Sequence, residues 1–220
     1  MCKDNTGYCA VTNSLLLFSV KLLLVNASLQ PLQIMSGDAW RVKFLEYDII
    51  PDALPEIPRS PLQVSFPGGN AVDFGNLQDP ACSNVAPNFI NTTTEFGFHV
   101  IVMTDLDYPS PKSDKRREYL HWMVFGISHI HLEDGDVLTE YVPPSKSGHH
   151  GGTHRYLLTF YRQEEGMEFD LVEFAISETA TDNPKRTTFS TEKFIKLLNL
   201  TQPLAANFFR IKWPDKVPDS

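Results

Sequence analysis

The sequence predicts a mainly β fold with flanking helices (α+β), built on an antiparallel sheet core. Three observations carry that expectation. Residues 98–103 (FHVIVM), 120–127 (LHWMVFGI) and 154–163 (HRYLLTFYRQ) are apolar runs rich in β-branched and aromatic side chains, which suits buried strands. The segments between them are rich in Pro, Gly, Ser and charge, and 16 prolines are spread over the 220 residues. No helical pattern alternates regularly with the strands, which argues against a doubly wound parallel sheet.

The elements follow in order. Residues 14–25 (SLLLFSVKLLLV) form an apolar run interrupted by Lys21, too short for a membrane-spanning helix. It has the length of a signal-peptide core, with small residues near a cleavage point before Ser28; a leading amphipathic helix is the other reading of residues 1–27. Trp40, Phe44, Leu45 and Ile49 then share one face of a short helix, with Asp38 as its N-cap and Pro51 as its stop. Four prolines in residues 51–61 predict an extended connector. The stretch PLQVSF starts a strand that ends at the turn Pro67-Gly68-Gly69-Asn70. Near the end, Ser190 caps a helix reaching toward Leu200. Phe189 and Phe194 there are spaced as a hydrophobic staple, and Phe194, Leu197 and Leu198 are helically spaced. The expected organisation is a leader at 1–27, one domain at 36–214 and a tail at 215–220.

Charge excludes some partners. A net charge of -8 without a long basic stripe disfavours nucleic acid and acidic membrane surfaces, because both are bound by many Lys and Arg. Any anion must therefore be held locally. Cys2, Cys9 and Cys82 are odd in number and lack metal-like spacing, so unpaired thiols are expected. Glycosylation patterns start at Asn26, Asn91 and Asn199. They favour secretion, whereas a single thiol left after cleavage favours the cytoplasm; both locations stay open.

Chemistry gathers where polar residues meet strand ends, at 104–110 (TDLDYPS), 117–122 (REYLHW) and 151–156 (GGTHRY). In this order the three segments resemble the signature of the phosphatidylethanolamine-binding protein family: its T-D-P-D-A-P-S loop, its R-E-W-x-H-F/W element and its G-x-H-R-Y. The likeness extends to IIPDAL with PLQVSF and to LAANFFRIKW, covering about residues 44–213. The resemblance implies a family-type sheet and a non-catalytic anion pocket formed by Asp105, Asp107, Tyr119, His121, His154, Tyr156 and Phe209, with Pro109, Arg155 and Gly152 in support. Imidazoles and phenols donate hydrogen bonds to phosphate oxygens without a large positive field. A carboxylate repels a phosphate, so Asp105 is expected to orient a histidine and Asp107 to pair with Arg155.

This chain departs from the family pattern at Leu106, where proline is usual, at Tyr108, where alanine is usual, and at Tyr119, where tryptophan is usual. Tyr108-Pro109 is a candidate cis bond. Phe209 stands where tyrosine is common. Residues 146–152 (KSGHHGG) replace G-x-P-P-x-G-x-G, so ligand selectivity does not carry over.

The implied partner is a phospholipid headgroup or another phosphate-bearing small molecule, bound by a monomer without a cofactor. A second reading, also from the resemblance, is regulation of a protein partner, as a serine-protease inhibitor or kinase-pathway modulator. A small-anion hydrolase ranks last, since no G-x-S-x-G, P-loop or H-E-x-x-H motif occurs. His149, His150 and His154 raise a metal reading, but the intervening Gly-Gly disfavours a helical site, and no metal is expected.

Overall fold

The computed structural model describes residues 38–90, 96–113, 117–128, 132–146, 151–163, 172, 174–177, 179–200 and 202–215. The apolar leader, Cys2, Cys9, Asn26, Asn91, His149 and His150 lie outside them. Helices α1 (Ala39–Glu46) and α2 (Ile49–Asp52) come first, followed by strands β1 (Ser60–Pro61), β2 (Gln63–Phe66), β3 (Asn70–Ala71), β4 (Asn76–Leu77) and β5 (Asn88–Ile90). The long strands β6 (Phe98–Tyr108), β7 (Arg117–Ser128) and β9 (Gly152–Arg162) form the centre, with β8 (Asp136–Thr139) short. Helices α3 (Pro184–Thr187) and α4 (Thr191–Leu197) precede β10 (Ala205–Trp213).

The large sheet runs β1-β10-β9-β6-β7-β8, with β4 also pairing β10, and a small sheet runs β3-β2-β5. The neighbours from β10 to β8 are antiparallel, as the sequence predicts; β1 and β4 run parallel to β10. Strands covered on both faces read as near-continuous apolar runs rather than alternating ones. Both faces are covered here. Ile101, Met103, Trp122, Leu158 and Phe160 pack on one side with Leu62, Val64 and Phe66. On the other side Val100, Val102, Leu120 and Tyr161 meet Phe174, Phe189, Phe194 and Leu198, while Leu106, Leu157 and Phe208 meet Trp40, Phe44 and Ile49.

Asn207 is buried in β10 and joins these layers. Its amide donates to Leu62 O and Val72 O at 2.8 and 3.0 Å, and its oxygen accepts from Phe74 N and Phe208 N at 2.9 and 2.8 Å. An interior amide is tolerated because its hydrogen bonds are made.

The helix ends differ from expectation. Helix α1 stops at Glu46 and not at Pro51, because Asp48 adopts left-handed backbone (φ 52°) and starts a new turn. Arg155 captures the freed carbonyls of Tyr47 and Asp48 through Nη1 at 2.8 and 3.0 Å, so a distant cation terminates the helix. Leu45 consequently faces solvent, and Ile49 is buried in α2. Asp38 stands at the N-cap without capping; its carboxylate accepts from Arg41 Nε at 2.9 Å. Ser190 does cap α4 through Lys193 N at 3.3 Å, and the Phe189 and Phe194 rings lie 5.9 Å apart. Leu197 is exposed, because Phe194 and Leu198 already fill that face.

Candidate functional site

The register of the sheet assembles the candidate site. Asp105 of β6 lies opposite Tyr119 of β7 and Tyr156 of β9, and Tyr156 lies opposite Phe209 of β10. One row thus crosses four strands. Alternation then puts His121, two residues beyond Tyr119, and His154, two before Tyr156, on the same face. A slip of one residue in any strand would send its member to the opposite face.

The segment around residues 104–108 belongs to β6 rather than to a loop after it. Thr104 and Asp105 pair on both edges, with β7 and β9, and Tyr108 pairs Arg117 of β7, which keeps the backbone extended. The peptide Tyr108-Pro109 beyond it is cis, as is Ile50-Pro51, which the sequence reading did not anticipate. Gly152 sits at φ +93°, with a Cβ there falling 2.7 Å from Pro111 Cγ, so only glycine fits this approach of the two loops.

Asp105, Tyr119, His121, His154, Tyr156 and Phe209 are all fully buried and linked in one chain of contacts. His154 Nδ1 lies 2.7 Å from Asp105 Oδ2, so the carboxylate accepts the ring proton and sets the tautomer. His121 Nδ1 donates to Val142 O at 2.6 Å. The Tyr156 ring stacks on Phe209 at 5.0 Å and touches His121 edge-on at 5.4 Å, and Tyr119 contacts His121 at 4.8 Å. Tyr156 Oη accepts from Trp213 Nε1 at 3.0 Å, leaving the phenol proton to donate. Tyr119 donates its own hydroxyl to Thr181 O at 3.0 Å.

Burial by itself would hold the His154 ring neutral. The hydrogen bond and charge of Asp105 outweigh it and raise the ring above the usual histidine value. Burial also raises Asp105, which the His154 bond offsets only in part. Burial pushes Tyr119 up to about 12 and Tyr156 well above the ordinary value, the latter with help from Asp105. Both phenols are therefore protonated at neutral pH. The arrangement can present imidazole donors and the Tyr156 phenol to a small anion, with one ring held toward its cationic form.

Asp107 does not join this cluster. The register slips between Asp105 and Tyr108, and the slip turns Asp107 toward Arg155, on the side where α1 and α2 pack. Asp107 accepts from Arg155 N, Nε and Nη2, each at 2.9 Å, and Arg155 Nη2 also reaches Asp52 at 3.2 Å. This ion pair is a structural tie between β6, β9 and the α1 terminus. The pairing of Asp107 with Arg155 is the one expected from the sequence; the slip, which strict alternation does not foresee, is what takes Asp107 off the face of Asp105. Trp213 and Tyr108 were also missed as neighbours; the Tyr108 ring lies 5.0 Å from Tyr119. Among the described residues no group of three or more His, Cys, Asp or Glu could hold a metal, and no helix is long and apolar enough to cross a membrane.

Comparison with known proteins agrees with this fold. The chain is 25% identical over 177 residues to "Putative odorant-binding protein A5" of Drosophila melanogaster, covering 79% of this chain and 80% of that protein. It is 26% identical over 167 residues to a 26 kDa secreted antigen of Toxocara canis, covering 76% and 62%. Its fold matches a phosphatidylethanolamine-binding protein from Plasmodium vivax with TM-score 0.65 at 23% identity, over 79% of this chain and 97% of that one. It also matches a carboxypeptidase Y inhibitor, solved in complex with its cognate proteinase, with TM-score 0.66 at 22% identity, over 83% and 98%. The profile of the family described as "Phosphatidylethanolamine-binding protein" spans residues 84–209, more than half of the chain and three of the four strands of the row, with β10 followed as far as Phe209. The chain belongs to the phosphatidylethanolamine-binding protein family.

Proposed function

We propose that the domain at 36–214 binds a small phosphate-type anion, a phospholipid headgroup or another phosphorylated group, without catalysing its turnover. The observation that carries this reading is the buried Asp105–His154 pair in one contact cluster with His121 and Tyr156. An imidazole favoured in its cationic form offers a charge-assisted donor, and the Tyr156 phenol adds a neutral one. In this reading the guest is taken up at the end of the sheet where β6 stops and β7 and β9 start, the end at which Pro111 meets Gly152. Ser110 ties that end together by donating to Gly151 O at 3.4 Å. Asp107, Arg155 and Gly152 support the pocket from outside it. Nothing in the cluster offers an activated nucleophile beside a base, which is why binding is preferred over hydrolysis.

Calorimetric titration with inorganic phosphate and with O-phosphoethanolamine tests this. Saturable binding that drops at least about tenfold in His121→Ala and His154→Ala is expected, since each loses a hydrogen bond to a charged group. Equal affinity in both folded variants would defeat the assignment. The fold shared with an inhibitor of carboxypeptidase Y motivates a second arm, a protease and kinase panel. Partner inhibition that survives the pocket substitutions would favour regulation of a protein over anion binding.

A further inference from the structure

The layer of Phe174, Phe189 and Phe194 covers the sheet face away from Tyr156 and Phe209, so its outer surface belongs to no part of the anion site. A groove of about 700 Å³ lies on that surface, lined from both α3 and α4. This is the size of a site for one small molecule. Its floor is the three rings, packed on one another with centroids 5.3 to 6.1 Å apart. Leu197, 55% exposed, adds an aliphatic wall open to solvent. The sheet fixes the shape of the groove. Glu118 of β7 pairs with Phe189 in an antiparallel bridge and accepts from Thr191 N at 2.9 Å, and Ser190 accepts from Lys193 N at 3.3 Å. A groove already formed spares a guest the cost of ordering it.

The rim is cationic. No carboxylate is among the described residues that line the groove, although the whole chain carries a net charge of -8. Lysines 185, 193 and 196 all line it. Lys196 is bonded to Glu192 at 2.5 Å, an exposed pair. Lys185 donates to Val172 O at 2.7 Å, a neutral acceptor that fixes the ammonium and leaves its charge. Lys193 is exposed, and neither it nor Lys185 joins an ion pair among the described residues. Lysine stems lie along apolar surface while their ammonium groups stay at the water boundary. An apolar floor under such a rim matches a molecule with an apolar body and an anionic head.

We propose that this groove is a second binding site, for a small amphiphile with a carboxylate head and an aliphatic chain. The chain lies on Leu197 and the phenylalanine rings, and the carboxylate meets Lys185 and Lys193 at the rim. Charge decides the head, since a cationic amphiphile of the same length would place like charges together.

Calorimetric titration of the full chain with dodecanoate, kept below its micelle-forming concentration, tests this. One saturable site is expected, and the ¹³C-methyl signals of Leu197 should shift as it fills. Hexanoate should bind at least about tenfold more weakly, because each methylene laid on the floor adds apolar burial. Dodecyltrimethylammonium should also bind at least about tenfold more weakly. Lys193→Glu and Leu197→Glu change exposed residues outside the anion pocket, so phosphate affinity should stay as it was. Dodecanoate should weaken about fivefold in the first and about tenfold in the second. Absence of saturable dodecanoate binding overturns the proposal, as does equal affinity for the cationic amphiphile or an affinity unmoved in either variant. A peptide of alternating Glu and Leu residues is the competing occupant: if it shifts Leu197 and dodecanoate does not, the groove serves a protein segment and the proposal falls. Because the groove shares no residue with the phosphate pocket, a wild type that ignores phosphate leaves this result standing.

Discussion

Glu118 offers a perturbation whose sign and size follow from the structure. It sits on β7, with its neighbour Tyr119 on the opposite face in the candidate site, and it reaches the start of α4. Glu118 Oε2 accepts from Thr191 N at 2.9 Å and from the Thr191 hydroxyl. Burial raises its pKa from 4.5 to about 7, with the Thr191 bonds opposing the rise. A carboxyl raised on folding means that the native state holds its proton where the unfolded chain has lost it. Stability from this group is therefore full below pH 4.5 and is lost as pH climbs to about 7. A shift of that size corresponds to about 3 kcal/mol, and partial solvent access to Glu118 brings it nearer 2 kcal/mol. Glu118→Gln mimics the protonated carboxyl and keeps an oxygen for Thr191. Urea denaturation at pH 4.5 and pH 8 should show the variant matching the wild type in acid and exceeding it by about 2 kcal/mol in base. Parallel pH profiles for the two proteins would refute the reasoning.

Further outcomes are expected elsewhere. Phosphate affinity should fall as pH rises through the raised His154 pKa, and Asp105→Asn should move that fall to lower pH, read by calorimetry across the neutral range. Asn207→Ala should lower stability by about 2–4 kcal/mol, because two carbonyls and two amides lose their partner; a thermal melt checks this as a drop of roughly 5–10 °C. Asp107→Ala should cost about 3–5 kcal/mol by stranding the Arg155 guanidinium, with phosphate affinity of the folded fraction changed far less than in His154→Ala. Gly152→Ala should loosen the approach to Pro111, seen as a loss of about 1–3 kcal/mol in chemical denaturation.

The sequence by itself determined the strands and the family. The runs 98–103, 120–127 and 154–163 announce themselves because strands buried on both faces are almost purely apolar, and the Ser190–Phe194 start of α4 because caps and staples act within a few residues. The three polar segments were legible for the same local reason. Tertiary structure alone decided what depends on register and on distant partners. Pairing with β7 and β9 drew Thr104 and Asp105 into β6, and one slip beyond Asp105 took Asp107, whose partner Arg155 the sequence did suggest, out of the pocket row in which the resemblance placed it. Arg155 ended α1 from 107 residues away, and Arg186 gripped His121 from the far side of the chain. Local pattern reports which face a residue prefers. Which groups meet across that face is fixed only when strands lock side by side, because buried donors and acceptors must then find partners wherever the fold brings them.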